Sequence, residues 1–184
     1  MVTTHAGAGL LLALPVALLV PELAPVAGLA AFAGGAFPDL DMLVGQHRRT
    51  LHYPALGWVP AVPAGAAAIV APGPVTVAVA LFLLAAALHA VSDAFDGGLA
   101  DRPWEQESER AVYYHVGDRW LPPRGWVRYD GAPEDFGLSA VLLVPGLFLY
   151  GDLVTSLSLG GLVVAAVYTA VRKRLPDVAL EFIQ

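Results

Sequence analysis

Cysteine is absent from the chain, which excludes a disulfide framework and any thiolate metal site. A metal would have to be held by imidazole, carboxylate or water, ligands that suit zinc first, with manganese, iron or magnesium as alternatives. Charge is scarce as well: 14% of the 184 residues are Asp, Glu, Lys or Arg, where a soluble domain carries about a quarter. Lysine occurs once, as Lys173, beside nine arginines, and the formal net charge is −6. A nucleic-acid partner is not expected, because phosphate backbones are met by basic surfaces. No basic residue precedes the first apolar run, which opens Met1-Val2-Thr3-Thr4-His5, so a cleaved signal peptide is not expected there.

What the chain has in excess is apolar sequence. The hydrophobic fraction is 57% and the mean hydropathy +0.65, more apolar surface than a soluble fold of this length could cover. An all-α integral membrane protein is therefore expected, with the lipid bilayer as its first partner. Apolar segments lie at 6–20, 25–37, 54–71, 75–92, 137–150 and 153–171. A helix needs about 20 residues to cross a hydrocarbon core. The third, fourth and sixth segments approach that length; the first, second and fifth are shorter and are expected to insert partly or to thin the bilayer. Pro21-Glu22-Leu23-Ala24-Pro25 splits the first apolar stretch, since proline breaks the backbone ladder and a carboxylate is costly at mid-bilayer.

This count gives six transmembrane or partly inserted helices in a single membrane domain, 1–184. A four-helix core occupies 1–93, a polar insert 94–136, and a C-terminal helix pair with a basic tail 137–184. All ten basic residues then fall on the side that holds His5. By the positive-inside rule that side is cytoplasmic, with both termini, in a multi-pass protein of the cell membrane. Within the insert, 111–116 and 126–129 are rich in β-branched and aromatic residues around the turn-rich 121–125, which predicts a β-hairpin. Residues 104–110 read as a short solvated helix.

Four histidines and three aspartates converge on the same side. Pro38-Asp39-Leu40-Asp41 leaves the second segment, and His47-Arg48-Arg49-Thr50-Leu51-His52 follows. His89-Ala90-Val91-Ser92-Asp93 ends the fourth segment, and His5 stands at the start of the first. The i,i+4 spacing puts His89 and Asp93 on one helix face. Taken singly, an Asp-x-Asp is a turn or cap and a His-x-x-x-Asp a helix-end ion pair; together the seven exceed one tetrahedral shell, so one or two divalent ions are expected. Arg48 and Arg49 are candidates for gripping a phosphate oxygen, with membrane anchoring as the plainer role. His115 reads as a hairpin or interfacial residue. Asp96, Glu134 and Asp135 lie near the same face, and caps or solvated loops explain them equally well.

In these motifs the sequence resembles the YdjM-type family of membrane-bound metal-dependent hydrolases. The family pattern is an early His, Pro-Asp-x-Asp, His-Arg-Gly-x-Thr-His-Ser, and His-x-x-x-Asp before a glycine-containing loop. The corresponding positions here are His5, Pro38 to Asp41, His47 to Tyr53, and His89 to Asp93 with Gly97-Gly98 beyond. Arg49, Leu51 and Tyr53 depart from the family's glycine, threonine and serine. The resemblance covers about the first 105 residues. It implies a metal-dependent hydrolase with His5, Asp39, Asp41, His47, His52, His89 and Asp93 as ligands.

The expected activity is hydrolysis of an ester, a phosphoester first, of a phospholipid or other membrane-associated substrate. Asp41 or Asp93 would be the general base and Arg48 or Arg49 the anion grip. The rival reading is a non-catalytic protein whose metal staples the helices and whose insert recruits a partner; it requires a closed coordination shell. A transporter would place its ionisable groups near the bilayer midplane, not at the helix ends.

Overall fold

The computed structural model describes residues 1–176; the end of the basic tail segment, 177–184, lies outside the described residues. Its α-helices form three consecutive pairs. These are α1 (Val2–Leu19) with α2 (Ala24–Ala36), α3 (Trp58–Val70) with α4 (Pro74–Ser92), and α5 (Pro133–Leu143) with α6 (Asp152–Val171). Four stretches, Val2–Leu19, Pro21–Met42, Pro74–Phe95 and Asp152–Arg174, are long and apolar enough to cross a membrane. Ile69 and Val70 are more than four-fifths exposed. Apolar side chains left open in this way suit a helix that meets lipid.

Small residues set the packing. The core around Leu10 and Tyr150 is built largely from Ala13, Ala17, Ala24, Ala27 and Ala31, which lets helix backbones approach closely. At Gly34 a Cβ would overlap the Phe82 carbonyl, and at Gly35 the His5 carbonyl. These two glycines bring α2 against α4 and α1 at the end of the bundle where the histidines lie. In consequence α1, α2 and α4 pack mutually, α3 rests on α4, α5 on α1, and α6 makes thinner contacts.

Segment lengths differ from those expected. The first two segments reach spanning length, because α1 begins already at Val2 and the turns at Pro21–Leu23 and Phe37–Met42 extend the second at both ends. The third shrinks to 13 residues. Pro60 cannot follow α-helical carbonyls in the preceding turn, so 54–57 is a turn and the helix begins at Trp58. Likewise α5 starts early, with Pro133 in its first turn, and gives way to a 3₁₀ turn at Val144–Leu147 that contains Pro145.

The insert contains a hairpin in a register other than the expected one. Strand β1 (Val112–Tyr114) pairs antiparallel with β2 (Arg119–Leu121), Tyr113 facing Trp120. The chain reverses through a 3₁₀ turn at His115–Gly117 and a left-handed Asp118. Pro122-Pro123 carries no N–H for a ladder and ends β2. Residues 126 and 127 instead donate their backbone N–H groups to the Phe95 carbonyl. The helix expected at 104–110 is a single 3₁₀ turn, Pro103–Glu105, closed by a left-handed Gln106.

Candidate metal centre

Each element end delivers its side chains to one buried cluster. The turn after α2 is 3₁₀, with about three residues per turn, so its side chains fall into three rows. Pro38 and Asp41 point inward and are buried, whereas Asp39 with Met42 and Leu40 with Leu43 line a cavity. α4 ends in His89 and Asp93, both buried, and the 43–57 connection folds back to bury His52 completely.

Hydrogen bonding fixes how the rings face. His89 Nδ1 lies 2.6 Å from the Gly35 carbonyl, which can only accept, so the ring proton sits there. His52 Nδ1 is 2.8 Å from Asp41 Oδ2, and His47 Nδ1 is 2.9 Å from Asp41 Oδ1. The Ser92 hydroxyl gives its proton to the His89 carbonyl at 2.8 Å. It must therefore accept from His5 Nδ1, 3.0 Å away. All four imidazoles thus commit Nδ1–H to an outside acceptor, and in the neutral ring each Nε2 is left with a lone pair.

Three of those lone pairs converge. His52 Nε2 and His89 Nε2 are 3.2 Å apart. Asp39 Oδ1 lies 3.7 Å from the first and 3.4 Å from the second. Asp93 Oδ2 lies 3.0 Å and 3.6 Å from the same two atoms, and its Oδ1 is 3.2 Å from His5 Nε2. Two imidazole lone pairs at hydrogen-bond distance repel unless a cation lies between them. Asp93 Oδ2 is also buried without an aligned hydrogen-bond donor. An orphaned carboxylate oxygen beside facing lone pairs is a donor set that fits a divalent ion. His5 with His89 and Asp93, and Asp39 with His52 and His89, each bring three ligand atoms within 4.8 Å of one another.

A proton answers the same need. Burial opposes charge on His52, but the carboxylates of Asp39, Asp93 and Asp41 outweigh it and raise the imidazolium to about 9. Asp41, His47 and His52 form a third group of potential ligands. There, however, the close atoms are the Nδ1 donors and the carboxylate that receives them, together with the Leu51 N–H at 3.3 Å. Asp41 therefore orients two rings, and His47 presents Nε2 elsewhere. Its ring is partly exposed and lines the cavity.

The two arginines separate. Arg48 is buried, pairs with Asp96 at 2.5 Å, and has Asp93 Oδ2 at 3.8 Å from its Nε. Burial works against its charge, yet Asp93 and Asp96 hold the guanidinium's pKa above its usual value. It also lines the cavity. Arg49 turns away, stacking over Tyr113 at 4.2 Å and donating to Gln46. His115 packs against Tyr53 and Tyr113, apart from the cluster.

Several partners escaped the sequence reading. Gly35 and Ser92 act through a carbonyl and a hydroxyl; Ser92 could have been found as the residue beside Asp93 in the His89–Asp93 motif. Asp96, for which the sequence leaves a site role and a cap or solvated loop equally open, is the counter-ion of Arg48. Asp130 lines the cavity and lies 3.0 Å from the Met1 amino group, a contact without a local sequence signal. Glu134 pairs with Arg128, and Asp135 accepts from Thr4 at 2.6 Å.

The cavity beside the cluster holds about 470 Å³. Its floor is formed by His5, Asp39, His47, Arg48 and Asp93, and its walls include Leu40, Leu43 and Val164. No family model, curated protein or solved structure matches the chain.

Proposed function

We propose that this chain is a membrane-bound metal-dependent hydrolase of an ester, a phosphoester first, presented at the membrane face. The observation that carries the reading is the convergence of three imidazoles and two carboxylates beside a cavity that His5, Asp39 and Asp93 line. A purely structural site would be sealed, whereas Asp39, Asp93 and His5 all line open space. The resemblance to YdjM-type hydrolases agrees with the same residues, and the clustering of basic residues favours a cytoplasmic site.

His52, His89, Asp39 and Asp93 would hold the ion, zinc first on the balance of imidazole and carboxylate, with His5 at its edge or completing a second site. A divalent ion there supplies Lewis acidity toward water and toward an ester oxygen. Asp41 keeps the His52 and His47 rings in one tautomer through two charge-assisted bonds. His47, with Nε2 free beside the cavity, accepts the proton of the attacking water. The water oxygen bonds to phosphorus as the ester oxygen leaves, and the leaving oxygen takes the proton from His47. Arg48, already paired with Asp96, turns its edge to the cavity.

Metal analysis by mass spectrometry on detergent-purified wild type and an Asp39→Asn, His89→Ala double variant tests the reading, followed by a phosphoester screen. About one or two equivalents in wild type and none in the variant are expected for a site of this donor count. A wild type that stays metal-free after reloading would overturn it.

A further inference from the structure

The cavity has two chemistries. Its lining combines the polar Asp39, His47, Arg48, Asp93, Asp130 and Tyr168 with the apolar Ala36, Leu40, Leu43 and Val164. The apolar wall is contributed by the end of the second span, by the connection after it and by α6. These elements touch only thinly, since α6 packs mainly against α5 and the turn after it. Leu43 and Val164 are 82% and 56% exposed, so the apolar lining continues onto the molecular surface. Met42 and Val44 continue the exposed apolar run, where a connection to water would ordinarily be polar.

We infer that the cavity takes one acyl chain of a phospholipid directly from the bilayer, between the end of α2 and α6, with the phosphate turned toward the histidine–aspartate floor. The inference rests on the hydrolase reading and names its substrate as a lipid embedded in the membrane. The volume is within the range of about 300–1,000 Å³ typical of ligand pockets, ample for a headgroup and the first part of a chain. Val164 lies in a span that meets hydrocarbon, so a chain entering there exchanges one apolar surrounding for another and never crosses water. A water-soluble phosphoester would use the floor and leave the apolar wall without an occupant.

The test uses the full chain, zinc-loaded, in phosphatidylcholine vesicles containing a phosphatidic acid with a photoactivatable group on its acyl chain. Cross-links should concentrate in peptides covering 36–44 and 161–168 and fall several-fold in Val164→Trp, with zinc content unchanged. Val70→Trp, at the other end of the bundle, should leave them as in wild type. Should Val164→Trp lose zinc, Leu43→Glu serves instead, because it sets a carboxylate in the chain's path from an exposed connection. Cross-links spread evenly over the lipid-facing helices, or indifference to both variants, would each overturn the inference. Focused labelling in a protein that hydrolyses no phosphoester would uphold the lipid site and sink the hydrolase reading. Hydrolysis of a soluble phosphoester with unfocused labelling would do the reverse.

Discussion

Asp41 holds two imidazoles at once, accepting from His47 Nδ1 at 2.9 Å on one oxygen and from His52 Nδ1 at 2.8 Å on the other. An asparagine in its place has a single acceptor oxygen, and its NH₂ would face an N–H. One ring must then rotate or change tautomer. Asp41→Asn is expected to weaken metal affinity by about 10- to 100-fold, the usual cost of losing an orienting carboxylate. Chelator competition on the purified protein measures it. Asp39→Asn, which removes the negative charge of a proposed ligand, should cost more; equal losses would place Asp41 among the ligands.

Proton and metal compete for the same space. In the metal-free protein His52 is raised from about 6.5 to about 9. A raised histidine contributes stability that is fully present below about pH 6.5 and is lost as pH rises through about 9. The metal-free protein should therefore lose thermal stability between those values. The zinc-loaded protein should not, because the ion replaces the proton and its binding strengthens as His52 deprotonates. Calorimetric zinc titrations in two buffers of different ionisation enthalpy should show net proton release below pH 9. Absence of release would mean that His52 is neutral before the ion arrives.

The site was legible in the sequence because its donors sit at helix ends of fixed spacing. His89 and Asp93 share an α-helical face, and the prolines bounding each apolar run returned all four segments to one level. The rotational detail was not legible. Asp39 and Asp41 look equivalent in an Asp-x-Asp motif, but the 3₁₀ turn sends them to different partners, one to the cluster and one to the rear of two rings. Arg48 was likewise open to two readings, since only the fold shows Asp96 beside it. The hairpin slipped because aromatic and β-branched content marks candidate strands without saying which turn joins them, and Pro122-Pro123 with a left-handed Asp118 decided it.

Gly35 serves packing and site together. A Cβ there would overlap the His5 carbonyl, while its own carbonyl receives the His89 ring at 2.6 Å. Gly35→Ala should push α1 from α2 and destabilise the protein by about 1–3 kcal/mol, as overpacking does, with a matching loss of metal. Gly160→Ala is the control. A Cβ at Gly160 meets nothing within 4 Å, and alanine favours helix, so the melting temperature in detergent should hold or rise. Equal behaviour of the two variants would show that the close approach of α1 and α2 is not what positions His5 and His89.

Arg48 is the remaining choice between scaffold and substrate contact, and its surroundings make the two separable. Its guanidinium pairs with Asp96 at 2.5 Å, and its carbonyl accepts from the Tyr113 N–H at 2.9 Å. It thereby ties the 43–57 connection to the insert. Removing one partner of a buried pair leaves the other uncompensated, so Arg48→Met should cost about 3–5 kcal/mol of stability. Arg48→Met with Asp96→Leu should recover most of it, because both buried charges are then gone. If Arg48 is scaffold alone, the double variant also recovers phosphoester hydrolysis. If its edge also grips the substrate, the double variant is stable and metal-loaded but retains a raised KM with little change in kcat, the pattern of lost uniform binding. Thermal unfolding, metal content and steady-state kinetics on the three proteins decide between the two roles.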